Sequence, residues 1–219
     1  MRPLTDYIPK AMIPVAGIPL LERIIINLRN RGFTELIVAL SGRPDYVTHY
    51  FGDGARVGVS IDYSISETPS GTAGEVQRMR DMLGGDEALL VHYGDILTDL
   101  DLRAMADDHL RHRPSVTLGL VTGVPIHTGL VEVDEGGAVR SFVEKPALES
   151  PANAAVFVIG RDVIDCCAPD RDFSHDIFPR FIASGRSVRG FVDEDAYWID
   201  VGRLSDLDRA NKFFEGAQP

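Results

Sequence analysis

The feature that most constrains this chain is a repeated change of hydrophobic period along its length. "PLLERIIINLRNRG" carries Leu21, Ile24, Ile25 and Leu28 at helical spacing, with proline near its start and Gly32 at its end. "ELIVAL" follows as a short unbroken apolar run, the pattern of a buried strand in a parallel sheet. The alternation recurs with a helix near "PDYVTHYF", a strand at "VSIDYSI", a helix over "GTAGEVQRMRDMLGG" closed by glycines, and a buried strand at "ALLVHY". Next come a helix over "DLRAMADDHLRH", a strand at "SVTLGLV" and a Gly-Gly hairpin in "LVEVDEGGAVRSFVE". The last third predicts a strand at "AAVFVI", a helix from about residue 176 to 184 that Asp172 helps start, strands near "VRGFV" and "YWIDV", and a terminal helix in "SDLDRANKFFEG". Strands alternating with helices, then a hairpin, predict an α/β fold with a mostly parallel, partly mixed sheet. In such sheets ligands bind at the carboxyl ends of the strands.

The 219 residues suit a single domain spanning 1–219, with room for a substantial core. A net charge of −11 argues against nucleic acid and anionic membrane surfaces as partners, since both require a broad basic face. The longest apolar runs are strand-sized, and the first residues lack the apolar stretch of a signal peptide, so a cytoplasmic location is expected. The two cysteines, Cys166 and Cys167, are adjacent in sequence, badly placed for an ordinary disulfide, and read as buried small hydrophobes. Of 22 basic residues only Lys10, Lys145 and Lys212 are lysines. In an arginine-rich background, a lysine beside proline in "IPKA" or "VEKP" suggests a site that needs a compact ammonium, with a chance surface position as the alternative.

Several stretches put chemistry-bearing residues where ligands would meet them. In "LLVHYGDIL" an apolar strand ends, Gly94 lets the chain turn, and Asp95 offers a carboxylate, either to a divalent cation or as the cap of a following helix. Asp200 has similar surroundings in "YWIDVG", and two such carboxylates suit Mg²⁺, which binds phosphate oxygens as well. "TPSGTAGE" offers small residues to a nucleotide base or phosphate, or forms a plain turn with Thr72 as helix cap. "FVEKP" ends a strand with Glu144 and Lys145, the lysine held extended by Pro146, or else forms a solvated hairpin end. His109 and His112 lie one turn apart on a polar helix and read as a solvated face rather than a metal site. No serine or cysteine carries the flanking pattern of an activated nucleophile.

Taken together, "RPLT", "PKAMIPVAGIPLLE", "GTAG", "YGDIL", "FVEKP" and "YWIDVG" resemble, in order and spacing, the motifs of the sugar-1-phosphate nucleotidylyltransferases, also called nucleotide-sugar pyrophosphorylases. The resemblance is greatest to the mannose- and heptose-1-phosphate guanylyltransferases. It implies a Rossmann-like three-layer sandwich, the nucleotide-diphospho-sugar transferase fold. It also implies Mg²⁺, a nucleoside triphosphate with GTP favoured, and a sugar 1-phosphate as ligands, in a chain that could form a homo-oligomer. Carried over by position, the resemblance makes Arg2 and Lys10 ligands of the nucleotide triphosphate, with Gly71, Thr72 and Gly74 flanking its base. Lys145, Gly129, Glu144 and Asn153 become the sugar-phosphate side, and Asp95 and Asp200 the metal carboxylates. Lys10, Asp95, Lys145 and Asp200 form the catalytic set. Three positions depart from the family pattern: Ala155 stands where glycine is frequent, Ser70 where leucine is usual, and Thr128 where an aromatic often precedes Gly129.

Family members begin with a strand and the signature G-G-x-G-T-R-L-R-P-L-T, and Met1 falls at its first leucine, that of R-L-R-P. The chain as written is therefore expected to be N-terminally incomplete relative to the family, lacking the first strand and the G-G-x-G-T-R loop. The implied reaction is attack of the sugar phosphate on the α-phosphorus, with pyrophosphate expelled and no enzyme nucleophile needed. The alternatives are a uridylyl- or thymidylyltransferase of the same fold, and a non-catalytic nucleotide-sugar-binding regulatory protein.

Overall fold

The structure, a computed structural model, describes residues 1–216. The chain opens with a short helix α1 (Leu4–Tyr7) and a 3₁₀ turn at Lys10–Met12, where the prolines predict only a restricted loop. A two-residue turn at Ala16 and Gly17, both at positive φ, joins strands β1 (Pro14–Val15) and β2 (Ile18–Pro19). Helix α2 (Leu20–Asn30) follows, burying Leu21, Ile24, Ile25 and Leu28, the stripe its spacing predicts, together with Leu20. Next come β3 (Glu35–Ser41), α3 (Pro44–Phe51), β4 (Ser60–Ser66), α4 (Thr72–Arg78), β5 (Ala88–His92) and β6 (Ile96–Thr98). The middle of the chain holds α5 (Leu102–His112), β7 (Val116–Val121), the hairpin β8 (Leu130–Val133) and β9 (Val139–Val143), β10 (Ala152–Gly160) and α6 (Arg161–Ile164). A π-helical turn at Phe173–Ile177 leads into α7 (Phe178–Ala183), and β11 (Val188–Asp193), β12 (Trp198–Asp200) and α8 (Leu204–Gly216) complete it.

The main sheet runs β11-β7-β10-β5. Strand β11 lies parallel to β7, while β10 is antiparallel to both β7 and β5. Three strands therefore share one direction and β10 alone opposes them. Strands β3 and β4 form a separate parallel pair, and β6 pairs antiparallel with β12.

Strand β10 shows why the fold has three layers. Its alternate side chains enter two different cores: Ala154, Val156 and Val158 pack with α2, α5 and α8, whereas Phe157 and Ile159 pack with α4, α6 and α7. A strand buried on both faces needs apolar residues at every position, and "AAVFVI" supplies them. Each large side chain buried this way contributes about 1.5–3 kcal/mol. Phe157 also sits edge-on to Phe173 and Phe178, tying the π-helical turn and α7 to the sheet.

Several expectations need correcting. Strands β3 and β5 are half-buried rather than buried. Each is paired along one edge only among the described residues, so neither is enclosed as a central strand would be. The helix at "GTAGEVQR" ends at Arg78, after seven residues, and turns fill the stretch to the glycines. The helix predicted near 176–184 is α7, entered through the π-helical turn, with Asp172 accepting from the Ser174 and His175 amides as its expected starter. His112 lies on a solvated face, but His109 is buried at 3% exposure, its Nδ1 3.0 Å from the Thr117 hydroxyl. It continues the stripe of Leu102 and Met105 against β7, so helical position overrode the polarity of its neighbours.

Candidate functional site

Asp95 and Asp200 are brought side by side by backbone pairing. Strands β6 and β12 align Asp200 with Ile96, and the Val201 amide donates to the Asp95 carbonyl at 2.9 Å. Asp95 follows the end of β5 and precedes a strand, so the helix-cap alternative fails; Asp101 is the residue that caps α5, accepting from the Ala104 amide.

Lys10 completes the group from the 3₁₀ turn after Pro9. Its ammonium donates to Asp95 Oδ2 at 2.6 Å, with both side chains about one-third exposed. Asp200 keeps a buried Oδ1 with no hydrogen-bond partner. Burial pushes its carboxyl above the usual value, and the Asp95 charge pushes the same way against the opposing pull of Lys10. Two carboxylates and one ammonium at a strand end can hold a cation and a phosphate together. No group of three or more His, Cys, Asp or Glu side chains able to hold a metal occurs among the described residues. That composition fits Mg²⁺ shared with a phosphate ligand rather than a cage made wholly of protein. The orphaned Asp200 oxygen fits the same ion, since a buried acceptor without a donor calls for a cationic partner.

The segment predicted to flank a base borders a cavity of about 240 Å³, lined on one side by Ala39, Leu40 and Ser41 and on another by Gly71, Thr72 and Glu75. Gly71 has φ +72°, and a Cβ there would lie 2.3 Å from the Arg171 carbonyl oxygen, so packing alone demands glycine. Gly74 is buried, and a Cβ would meet the Ser70 hydroxyl at 2.7 Å. Thr72 is not the side-chain cap of α4; its hydroxyl donates to Asp172 Oδ2 at 2.7 Å and accepts from the Phe173 amide. Glu75 went unnoticed in the sequence. Its Oε1 accepts from the Ser70 amide at 3.0 Å, and its Oε2 is buried without a partner. The available signal was a lone acid on the stripe shared with Val76 and Met79.

The residues expected on the sugar-phosphate side are more open. Lys145 is 65% exposed, and the carboxylate nearest its ammonium is Glu144 at 3.8 Å. Its backbone is left-handed, φ +48°, not extended as Pro146 led us to expect, because the chain bends where β9 ends. Gly129 faces the same hairpin end: a Cβ there would lie 2.7 Å from the Phe142 ring and 3.1 Å from Glu144 Oε2. Asn153 is exposed on β10 and accepts the Ala155 amide through its side-chain oxygen at 3.0 Å. Arg2 is not brought to Lys10; its guanidinium pairs with Asp6 at 3.2 Å and is largely exposed.

The chain matches the family model described as nucleotidyl transferase over residues 1–216. It is 36% identical to the mannose-1-phosphate guanylyltransferase of Mycobacterium tuberculosis, an alignment covering 96% of this chain and 60% of that protein. The chain thus spans about three-fifths of that relative's length. The D-glycero-alpha-D-manno-heptose 1-phosphate guanylyltransferase of Aneurinibacillus thermoaerophilus is 26% identical over 97% of this chain and 92% of its own. Among solved structures, HddC from Yersinia pseudotuberculosis superimposes with a TM-score of 0.76 at 25% identity, covering 94% of this chain and 90% of that one. The architecture is the nucleotide-diphospho-sugar transferase fold, and the chain belongs to the nucleotidyl transferase family.

Proposed function

We propose that this protein transfers a nucleotidyl group from a nucleoside triphosphate, GTP by preference, to a hexose or heptose 1-phosphate, releasing pyrophosphate. The observation that carries the reading is the Lys10, Asp95 and Asp200 group at the strand ends of a nucleotidyl transferase fold. A phosphate oxygen of the sugar phosphate attacks the α-phosphorus, a new P–O bond forms, and the bond to the β-phosphate breaks with its electrons leaving on pyrophosphate. No side chain need become covalently attached. Asp95 and Asp200 are the residues suited to hold Mg²⁺, which when bound supplies positive charge against the crowded phosphate oxygens. Lys10 neutralises triphosphate charge, and Lys145 with Glu144, Gly129 and Asn153 receives the sugar phosphate. Gly71 and Thr72 border the base.

An acidic protein performs this chemistry because its cations are local. No helix among the described residues is long and apolar enough to cross a membrane, and we assign the protein to the cytoplasm. The test is pyrophosphate release across a panel of nucleoside triphosphates and sugar 1-phosphates. Turnover with GTP and a manno-configured sugar 1-phosphate is expected; UTP or dTTP as the best substrate would move the protein to another nucleotide class. Binding of a nucleotide-sugar with no pyrophosphate release from any pair would overturn the enzymatic reading.

A further inference from the structure

We propose that Ser70 is a positioning residue for the nucleotide: its buried hydroxyl, with the Asp172 carboxylate, fastens residues 70–74 to the turn at 170–173 and so fixes where Gly71 and Thr72 stand. This deepens the proposed function and rests on its reading of Gly71 and Thr72 as the border of the base.

Five hydrogen bonds cross between the two segments, which lie 100 positions apart at Ser70 and Asp170. Three use side chains. The Asp170 amide donates to Ser70 Oγ at 3.2 Å, the Thr72 hydroxyl donates to Asp172 Oδ2 at 2.7 Å, and the Phe173 amide donates to Thr72 Oγ1 at 3.0 Å. The other two run from the Ala73 and Gly74 amides to the Arg171 carbonyl, at 3.0 and 3.2 Å. The turn that receives them is itself fixed. Asp176 accepts from the Asp172 amide at 2.8 Å and from the Arg171 guanidinium at 3.0 Å, while Phe173 is fully buried with its ring against Phe157 and Phe178.

This contact sets the place of the cavity wall. Gly71 and Thr72 line the 240 Å³ cavity, whereas Ser70 is buried behind them and does not line it, so Ser70 acts on a ligand there only through its neighbours. The Ala73 and Gly74 amides are taken up by Arg171, so the start of α4 does not offer them to a phosphate. Leucine, the usual residue at position 70 in the family pattern, has no oxygen to accept from the Asp170 amide; this fastening is a feature of the chain's own sequence. A segment held in one conformation spares the binding step the loss of backbone freedom. Loosening it should therefore weaken use of the triphosphate and leave the chemical step alone.

The experiment compares the full chain with Ser70→Ala, Asp172→Ala and a control, Thr117→Val, which removes a buried hydroxyl from its contact with His109. Steady-state pyrophosphate release gives kcat and the KM of each substrate, and hydrogen exchange read by mass spectrometry reports on the amides of residues 70–74. Ser70→Ala is expected to raise the KM for GTP about 3- to 10-fold, the range for one net hydrogen bond, with kcat and the KM for the sugar phosphate within about twofold of the wild type. Asp172→Ala should show the same split, and both should speed exchange at residues 70–74. Thr117→Val should lower the melting temperature and move neither KM. An unchanged KM for GTP in both Ser70→Ala and Asp172→Ala, or an equal rise in Thr117→Val, overturns the positioning role and leaves the enzymatic reading intact. Unchanged exchange at residues 70–74 in both variants overturns the fastening itself. No pyrophosphate release by the wild type from any substrate pair overturns the enzymatic reading, and the role of Ser70 with it.

Discussion

Lys10 Nζ and Asp95 Oδ2 lie 2.6 Å apart, joining the turn after Pro9 to the strand end that carries Asp95. The pair is one-third exposed, so as an ion pair it contributes little to folding; exposed pairs are worth about 0–1 kcal/mol. Its value in the proposed reaction lies in holding an ammonium beside the carboxylate we propose for Mg²⁺. Lys10→Met is therefore expected to lower pyrophosphate release by about 100-fold or more while shifting stability by less than about 1 kcal/mol. Activity assays paired with thermal melts check both halves. Near-normal turnover would remove Lys10 from the mechanism.

Asp200 presents the opposite balance of stability and function. Its carboxyl is held above the usual range by burial and by Asp95, so the folded protein retains this proton to higher pH than the unfolded chain does. Stability contributed by the protonated form is lost as pH rises through the unfolded value toward the raised one. Above the ordinary carboxylate range this raised carboxyl is a cost to folding, and Asp200→Asn should match or exceed the wild type in melting temperature. Pyrophosphate release should fall about 100-fold or more, because the cation we propose at this site would lose a charged ligand. Loss of Mg²⁺-dependent stabilisation in the presence of GTP would accompany it. A variant that melts well below the wild type would show that the ionised carboxylate supports the fold instead.

His92, at the end of β5, should give the protein an acid-sensitive step. Burial lowers its pKa to about 4, against the weaker opposing effects of the Tyr93 carbonyl and Asp95. The unfolded chain takes up this proton near its ordinary value of about 6.5 while the folded protein refuses it until about pH 4. Between those values the unfolded state binds more protons, so stability falls as pH falls. His92→Gln is expected to flatten the denaturation midpoint over that window. An unchanged pH slope would assign the acid sensitivity to other groups.

Much of this was legible from period and punctuation. The stripe of α2 and the two-faced run of β10 are read directly because apolar spacing is a local property. Asp95 and Asp200 were legible too, as acids that follow a strand end beside a glycine, although their adjacency depends on the β6–β12 pairing and spans 105 positions. The misses share a cause. His109 sits among polar neighbours yet faces β7, and Glu75 looks like a surface acid yet is pinned by Ser70; each fate is decided by an element distant in space or by loop geometry. Lys145 was misjudged because Pro146 biases its backbone only locally, and the bend leaving β9 overrode that bias.

Ala155 offers a test of backbone strain beside the site. It has φ +56°, a conformation disfavoured for residues with a Cβ, at the irregularity where β10 shifts register against β7 between Asn153 and Phe157. Two hydrogen bonds hold it there: its amide donates to the Asn153 side chain at 3.0 Å, and its carbonyl accepts from the Tyr93 amide at 3.1 Å. This is the position at which the family pattern frequently has glycine, and the left-handed backbone gives the physical reason. Ala155→Gly should relieve the strain at some cost in unfolded-chain entropy, for a net gain of about 0.5–1 kcal/mol. In a protein of this size that is a rise of about 1–4 °C in melting temperature. Ala154→Gly is the control, because Ala154 is fully buried in the same strand and its methyl packs in the core; that change should destabilise. If both substitutions lower the melting point alike, Ala155 is unstrained. If only Ala155→Gly raises it, the bulge carries the strain, and Asn153 keeps its place beside the bulge, where we propose the sugar phosphate binds, whether residue 155 is alanine or glycine.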